Sequence, residues 1–284
     1  MAPLSQEELH RFHKMHRETF CYLVFILHRD LTQSLLVMAL WIWLEHNGYP
    51  NISNQVMALH LTFVDALYNE ALSCLQCLEV ENLVISNGGD LPSTTNLTQR
   101  HISLRIFNEK RYTIIAGIKS VLKNICARIF ADIFQIILKR NDIRRFGTSQ
   151  GNISDIPLTI PHFSHSLFGT IDMQNIVNPD LFDMRIWTKG PCDDVTIDDK
   201  SMFLTFSRGF PVSKAEVIKL FTSRYGNCIE KLSMRNTDCH HQPLFAIMIL
   251  KTVGTIDQIL KGQRVAKLQI HGKHIWIRKY ERRD

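Results

Sequence analysis

Met202-Phe203-Leu204-Thr205-Phe206-Ser207 and, further on, Pro243-Leu244-Phe245-Ala246-Ile247-Met248-Ile249-Leu250 decide the fold of the carboxy-terminal part. Successive side chains of a strand point to opposite faces, so Met202, Leu204 and Phe206 share one face and leave Phe203 and Thr205 on the other. The same alternation separates Ala246, Met248 and Leu250 from Phe245, Ile247 and Ile249. Between the two runs, Ser213 with Glu216 three residues later forms a capping box. It opens a helix carrying Val217, Leu220 and Phe221 that ends at Tyr225-Gly226. A strand from Cys228 to Arg235 then turns Leu232 and Met234 inward and Lys231, Ser233 and Arg235 outward. Ile256, Ile259 and Leu260 mark a second helix stopping at Gly262. The last strand follows Gly272-Lys273, with Ile275 and Ile277 inward and Trp276 and Arg278 outward. The expected order is βαββαβ, a four-stranded sheet with both helices on one face.

The other face then presents Phe203, Phe245, Ile247 and Trp276 beside Lys231, Arg235 and Arg278. Flat π surfaces next to cations suit unstacked bases and their phosphates, and such a face does not enter a closed duplex groove. Single-stranded RNA is therefore the expected ligand. Charge points the same way. From Ser201 onward, 15 Lys and Arg stand against 6 Asp and Glu, a net of +9, whereas the first 200 residues carry 18 basic and 21 acidic residues, a net of −3. Such asymmetry is the electrostatic footprint of a polyanion-binding module joined to a near-neutral partner.

Residues 1–145 read differently. Apolar residues recur at three and four, as in Leu23, Ile26, Leu27, Leu31, Leu35 and again in Ile114, Ile118, Val121, Leu122, Ile125, Ile129. This is helical spacing and predicts an all-helical bundle of five or six helices, with breaks at Asn47-Gly48-Tyr49-Pro50 and at Asn87-Gly88-Gly89-Asp90. Leu35–Leu44 is too short to span a bilayer and predicts a buried helix in which Trp41 and Trp43 are core residues. Residues 146–200 form the expected linker, partly packed and ending in the acidic Asp193-Asp194 and Asp198-Asp199.

Several classes of function find no support. P-loop, dinucleotide fingerprint, His-Glu-x-x-His and Gly-x-Ser-x-Gly are all missing, so the expectation is a non-enzymatic protein without a cofactor or a metal. Cys74 and Cys77 have the spacing of a metal pair but no second pair, and read as small buried residues in a helix. His162, His165 and Asp172 lack a nucleophile or a fourth ligand, and Cys239-His240-His241 reads as an exposed loop. Seven scattered cysteines form no disulfide framework and suggest a reducing, intracellular compartment, nucleus or cytoplasm. Met1–Gln6 lacks the apolar core of a signal peptide, and no membrane partner is expected.

The two strand runs stand where the RNP2 and RNP1 strands of the RNA recognition motif (RRM), a ferredoxin-like sandwich, lie. Phe203 matches the aromatic of RNP2. RNP1 departs from the pattern, since Pro243-Leu244 replaces the basic-glycine pair and Ile247 and Leu250 replace aromatics; Phe245-Ala246 matches. Residues 201–284 therefore resemble a divergent RRM. One protein-binding variant carries Arg-x-Phe after the second helix, where this chain has Gly262-Gln263-Arg264-Val265-Ala266. Together with Ser34–Trp41, Gly117–Leu122, Met202–Val212 and Gly272–Trp276, the whole chain resembles a poorly characterised plant family that joins a helical amino-terminal region to a divergent RRM. The resemblance implies a helical domain serving a protein partner and an RNA-binding module. The alternative is a protein-interaction adaptor whose degenerate RRM has lost useful RNA affinity.

Overall fold

The apolar run from Ser34 to Leu44 has no polar face, and a helix that is apolar all round must be enclosed by others. In the computed structural model, which describes residues 5–50, 52–80, 89–137, 163–171, 195–234 and 243–281, all eleven of these residues are buried. Backbone contacts divide the chain into two compact units. The first comprises 1–75, 91–101 and 117–193, the second 76–90, 102–116 and 194–284. The helices in chain order include α1 (Gln6–Phe12), α2 (Lys14–Cys21), α3 (Leu31–His46), α4 (Ile52–Val56), α5 (Leu61–Glu79), α6 (Pro92–Thr98), α7 (Leu104–Glu109), α8 (Arg111–Val121) and α9 (Ala127–Ile129), and residues 131–137 are also helical. Single π-helical turns follow α2 at Tyr22–Ile26 and α8 at Leu122–Cys126. Among the described residues, no helix is long and apolar enough to cross a membrane.

In the first unit, Asp30 caps α3 by accepting the Gln33 amide at 2.8 Å, and Gly48 ends the helix with φ +84. Trp41 and Trp43 are buried, as the helical spacing predicts. Phe20 stacks on Phe130 with ring centroids 4.3 Å apart, and Arg17 grips both carboxylate oxygens of Asp132 at 2.6 and 2.8 Å. Gly117 lies against Trp43 so closely that an added Cβ would stand 2.0 Å from the indole Nε1. A glycine inside a helix costs roughly 1 kcal/mol relative to alanine, so its presence here reflects the space that the indole takes. A short hairpin, β1 (Phe163–His165) and β2 (Gly169–Ile171), lies within 146–200, where a linker is expected.

The second unit is built on β3 (Ser201–Phe206), α10 (Lys214–Tyr225), β4 (Ile229–Met234), β5 (Phe245–Leu250), α11 (Gly254–Leu260), β6 (Val265–Ile270) and β7 (Lys273–Lys279). The sheet is antiparallel with the order β4-β5-β3-β7-β6. The expected sheet has four strands; the fifth is β6. Its residues Ala266, Leu268 and Ile270 alternate inward, and it joins β7 through His271-Gly272, whose φ of +45 and +79 fit a two-residue hairpin turn. The core is set by the predicted inward residues: Met202, Leu204, Ala246, Met248, Leu250, Ile275 and Ile277 are fully buried against Val217, Phe221 and Ile256. The capping box at Ser213 and Glu216 is formed, and Gly226 ends α10 with φ +72.

Two segments outside 201–284 pack with the sheet unit. Ala116 belongs to the core beneath the sheet and Tyr112 packs against it, so the first turns of α8 serve the sheet unit. Asp257 of α11, 8% exposed, fixes them there. Its carboxylate accepts the backbone amides of Tyr112 and Thr113 at 2.9 and 3.0 Å and the Thr113 hydroxyl at 2.6 Å. Burial pushes this carboxyl above its ordinary value despite those three donors. Upstream of the sheet, Val195 packs against the same core, Lys200 pairs with Glu230 at 2.9 Å, and Lys279 donates to the Asp198 carbonyl. The segment 195–200, the acidic end of the expected partly packed linker, is thus packed on the sheet unit, because these bonds tie it to β4 and β7. Residues 138–162 and 172–194 lie outside the described residues.

Three outcomes follow from these contacts. Gly117→Ala forces the indole to move within a packed core and lowers stability by roughly 1–3 kcal/mol, read as a lower thermal midpoint; Trp43→Phe in the same chain recovers part of the loss. Asp257→Ala strands two amides of the first turn of α8 and costs about 1–3 kcal/mol in urea unfolding, with Asp257→Asn in between. The third outcome concerns pH. His13 is buried beside His16, with Nδ1 atoms 3.2 Å apart, and burial holds its pKa down at about 3 against 6.5 unfolded. Neighbouring His16, His46 and His10 push in the same direction. The unfolded chain therefore takes up the proton first as pH falls. The stability this group contributes is complete above pH 6.5 and drains away toward pH 3, by at most about 1.4 kcal/mol per pH unit. Denaturation midpoints of His13→Gln fall less steeply between pH 6.5 and 4.5 than those of the parent chain.

Candidate nucleic-acid interface

With the inward positions of the central strand filled by Met202, Leu204 and Phe206, pleat parity leaves Phe203 and Thr205 on the outer face. Cross-strand register then sets two rows. Phe203 is paired with Ile247 on one side and Arg278 on the other, extending to Ser233 at one edge and Val265 at the other. Thr205 is paired with Phe245 and with Trp276, and Trp276 in turn with Lys267. Lys231 stands opposite Ile249 on the β4 edge of the same face. Of the residues that the alternation assigns to this face, Phe203, Phe245, Ile247, Trp276, Arg278 and Lys231 are all brought together. Arg235 lies outside the described residues.

The rings do not stand equally open. Phe203 and Phe245 stack with centroids 5.5 Å apart and planes 26° from parallel. From the β7 side, the Arg278 guanidinium lies 4.9 Å above the Phe203 centroid, and its Nη1 donates to the Lys279 carbonyl at 3.3 Å. Trp276 is 46% exposed, with the Lys267 ammonium 5.0 Å from its ring centre. A cation–π contact of this kind at an exposed site contributes about 0.5–1 kcal/mol, enough to orient a flexible side chain and little enough to be exchanged for a ligand.

The cations divide by what they already hold. Lys273 donates to Glu216 at 3.0 Å and to the Pro211 carbonyl at 2.6 Å, and Lys279 donates to the Ser201 carbonyl at 3.2 Å. The amide of Ser213, followed by the Lys273 ammonium, holds the Glu216 carboxyl down at about 2. These charges brace the β3–α10 and β3–β7 connections. Among the described residues, Lys231, Lys267 and Arg278 are the cations on the open face.

No protein-family model, curated protein or solved structure matches this chain.

Lys267, Gln269 and His274 also lie on the outer face, on β6 and β7, and are not among the residues that the four-strand reading assigns to it. The signal for them is Val265-Ala266-Lys267-Leu268-Gln269-Ile270, a period-two run closed by His271-Gly272. Elsewhere, Cys74 and Cys77 are buried, with the Cys77 thiol 3.5 Å from the Leu104 carbonyl. His165 Nδ1 accepts the Leu167 amide at 3.2 Å. His162, Asp172 and Cys239-His240-His241 lie outside the described residues, and among the described ones no group of three His, Cys, Asp or Glu is placed to hold a metal ion.

Proposed function

We propose that the sheet unit is a divergent RRM and that the chain is a non-enzymatic RNA-binding protein, with single-stranded RNA lying across the outer face and the helical unit serving a protein partner. The observation that carries this reading is the convergence of three aromatic rings and three cations on one sheet face. Phe203, Phe245 and Trp276 supply π surface, and Lys231, Lys267 and Arg278 supply charge within a part of the chain whose net charge is +9. The strand order supports it too, since β3 and β5 are central neighbours, as the RNP2 and RNP1 strands are in that family. Base stacking on an aromatic contributes about 1–3 kcal/mol per base and tolerates any sequence, because every base has a π face. The cations add a term that depends on salt.

Ile247 and Ile249 on the same face favour a second reading, an adaptor that docks a protein through an apolar strip. Titrating a fluorescent uridine octamer into the full chain separates the two. With three phosphates neutralised, single-strand affinity falls roughly 20-fold between 50 and 200 mM salt. Phe203→Ala combined with Phe245→Ala weakens binding further at either salt. Absence of saturable binding at 50 mM salt rejects the RNA reading in favour of the adaptor.

A further inference from the structure

Phe203, the ring in the RNP2 position, is approached from β5 by Phe245 and from β7 by Arg278, and is only partly exposed. Trp276 is the most exposed aromatic of the face, its area is larger, and its one ring partner is a flexible lysine. We propose that Trp276 is the principal base-stacking position and that the β6–β7 hairpin completes a nucleotide subsite around it, with Lys267 on the phosphate and Gln269 and His274 at the base edge. The proposal rests on the reading of this face as an RNA site.

Register supplies the geometry. Trp276 faces Lys267 directly, and the next outward pair along the hairpin is His274 with Gln269, all four side chains exposed on one face. Donors and acceptors thus stand one pair beyond the ring, where the edge of a base lying on the indole reaches them. Energetics favour the exchange. The Lys267 contact contributes about 0.5–1 kcal/mol, less than the roughly 1–3 kcal/mol of a stacked base, so a base displaces the ammonium and leaves it beside the backbone. Phe203 is the diagonal neighbour of Trp276 across the β3–β7 pair, about 7–8 Å away by strand geometry, and receives the adjacent nucleotide with Arg278 as its flank.

The test uses the full chain and the labelled uridine octamer, comparing Trp276→Ala, Lys267→Gln and the Phe203→Ala/Phe245→Ala pair, with circular dichroism confirming that each folds. Trp276→Ala weakens binding roughly 5- to 100-fold and more than the phenylalanine pair does. Lys267→Gln lowers the slope of log K against log salt by about 0.7, a change that a purely structural role does not produce. Wild-type affinity and slope in both hairpin variants, together with loss in the phenylalanine pair, overturn the Trp276 subsite and leave the RNA reading standing. Failure of the wild-type chain to bind overturns both.

Discussion

The parity of one strand governs the carboxy-terminal unit. β3 is hydrogen-bonded on both sides, to β5 and β7, so the choice of face for Met202, Leu204 and Phe206 fixes the register and the outward row of both neighbours. A slip of one residue would turn three buried apolar side chains to solvent and draw Phe203 and Thr205 inside. Burying a large apolar side chain contributes about 1.5–3 kcal/mol, so three of them hold the parity against any preference of the outer face. The candidate site is a by-product of that constraint. The rings and cations meet because the opposite face must be filled with Met248, Ile275, Ile277 and the two helices.

Much of this was legible in the sequence because period-two alternation and helix caps are local signals. The inward residues of β3, β5 and β7, the Ser213–Glu216 box and the stops at Gly226 and Gly262 all follow from neighbouring residues. β6 was harder to see. Its inward set includes the small Ala266 and the only partly buried Leu268 beside Ile270, and the turn at His271 needs a positive φ that glycine or asparagine signals more plainly. The participation of α8 was not legible at all. Helical spacing runs unbroken through Tyr112, Ala116 and Leu122, while the contacts that assign its first turns to the sheet unit come from Asp257, 144 and 145 residues away in sequence. No periodicity carries information over such a separation.

The site shows the same division between local and non-local information. Composition and alternation name the side chains on the face. They do not tell which rings are already engaged. Phe203 lies on the central strand, yet Phe245 and Arg278 flank it, whereas Trp276 on the neighbouring strand keeps much of its surface open. Cations over rings also give this face a defined surface: Lys267 is held over Trp276 and Arg278 over Phe203 by contacts of about 0.5–1 kcal/mol each.

Backbone and tryptophan indole chemical shifts of the isotopically labelled full chain, followed while unlabelled uridine octamer is added at low salt, test the central claim most directly. Saturable shifts concentrated in 201–206, 245–250 and 265–279, with the Trp276 indole among the largest, are the expected result. Shifts confined to the helices of residues 5–75, or none in the sheet at saturating RNA, would contradict it.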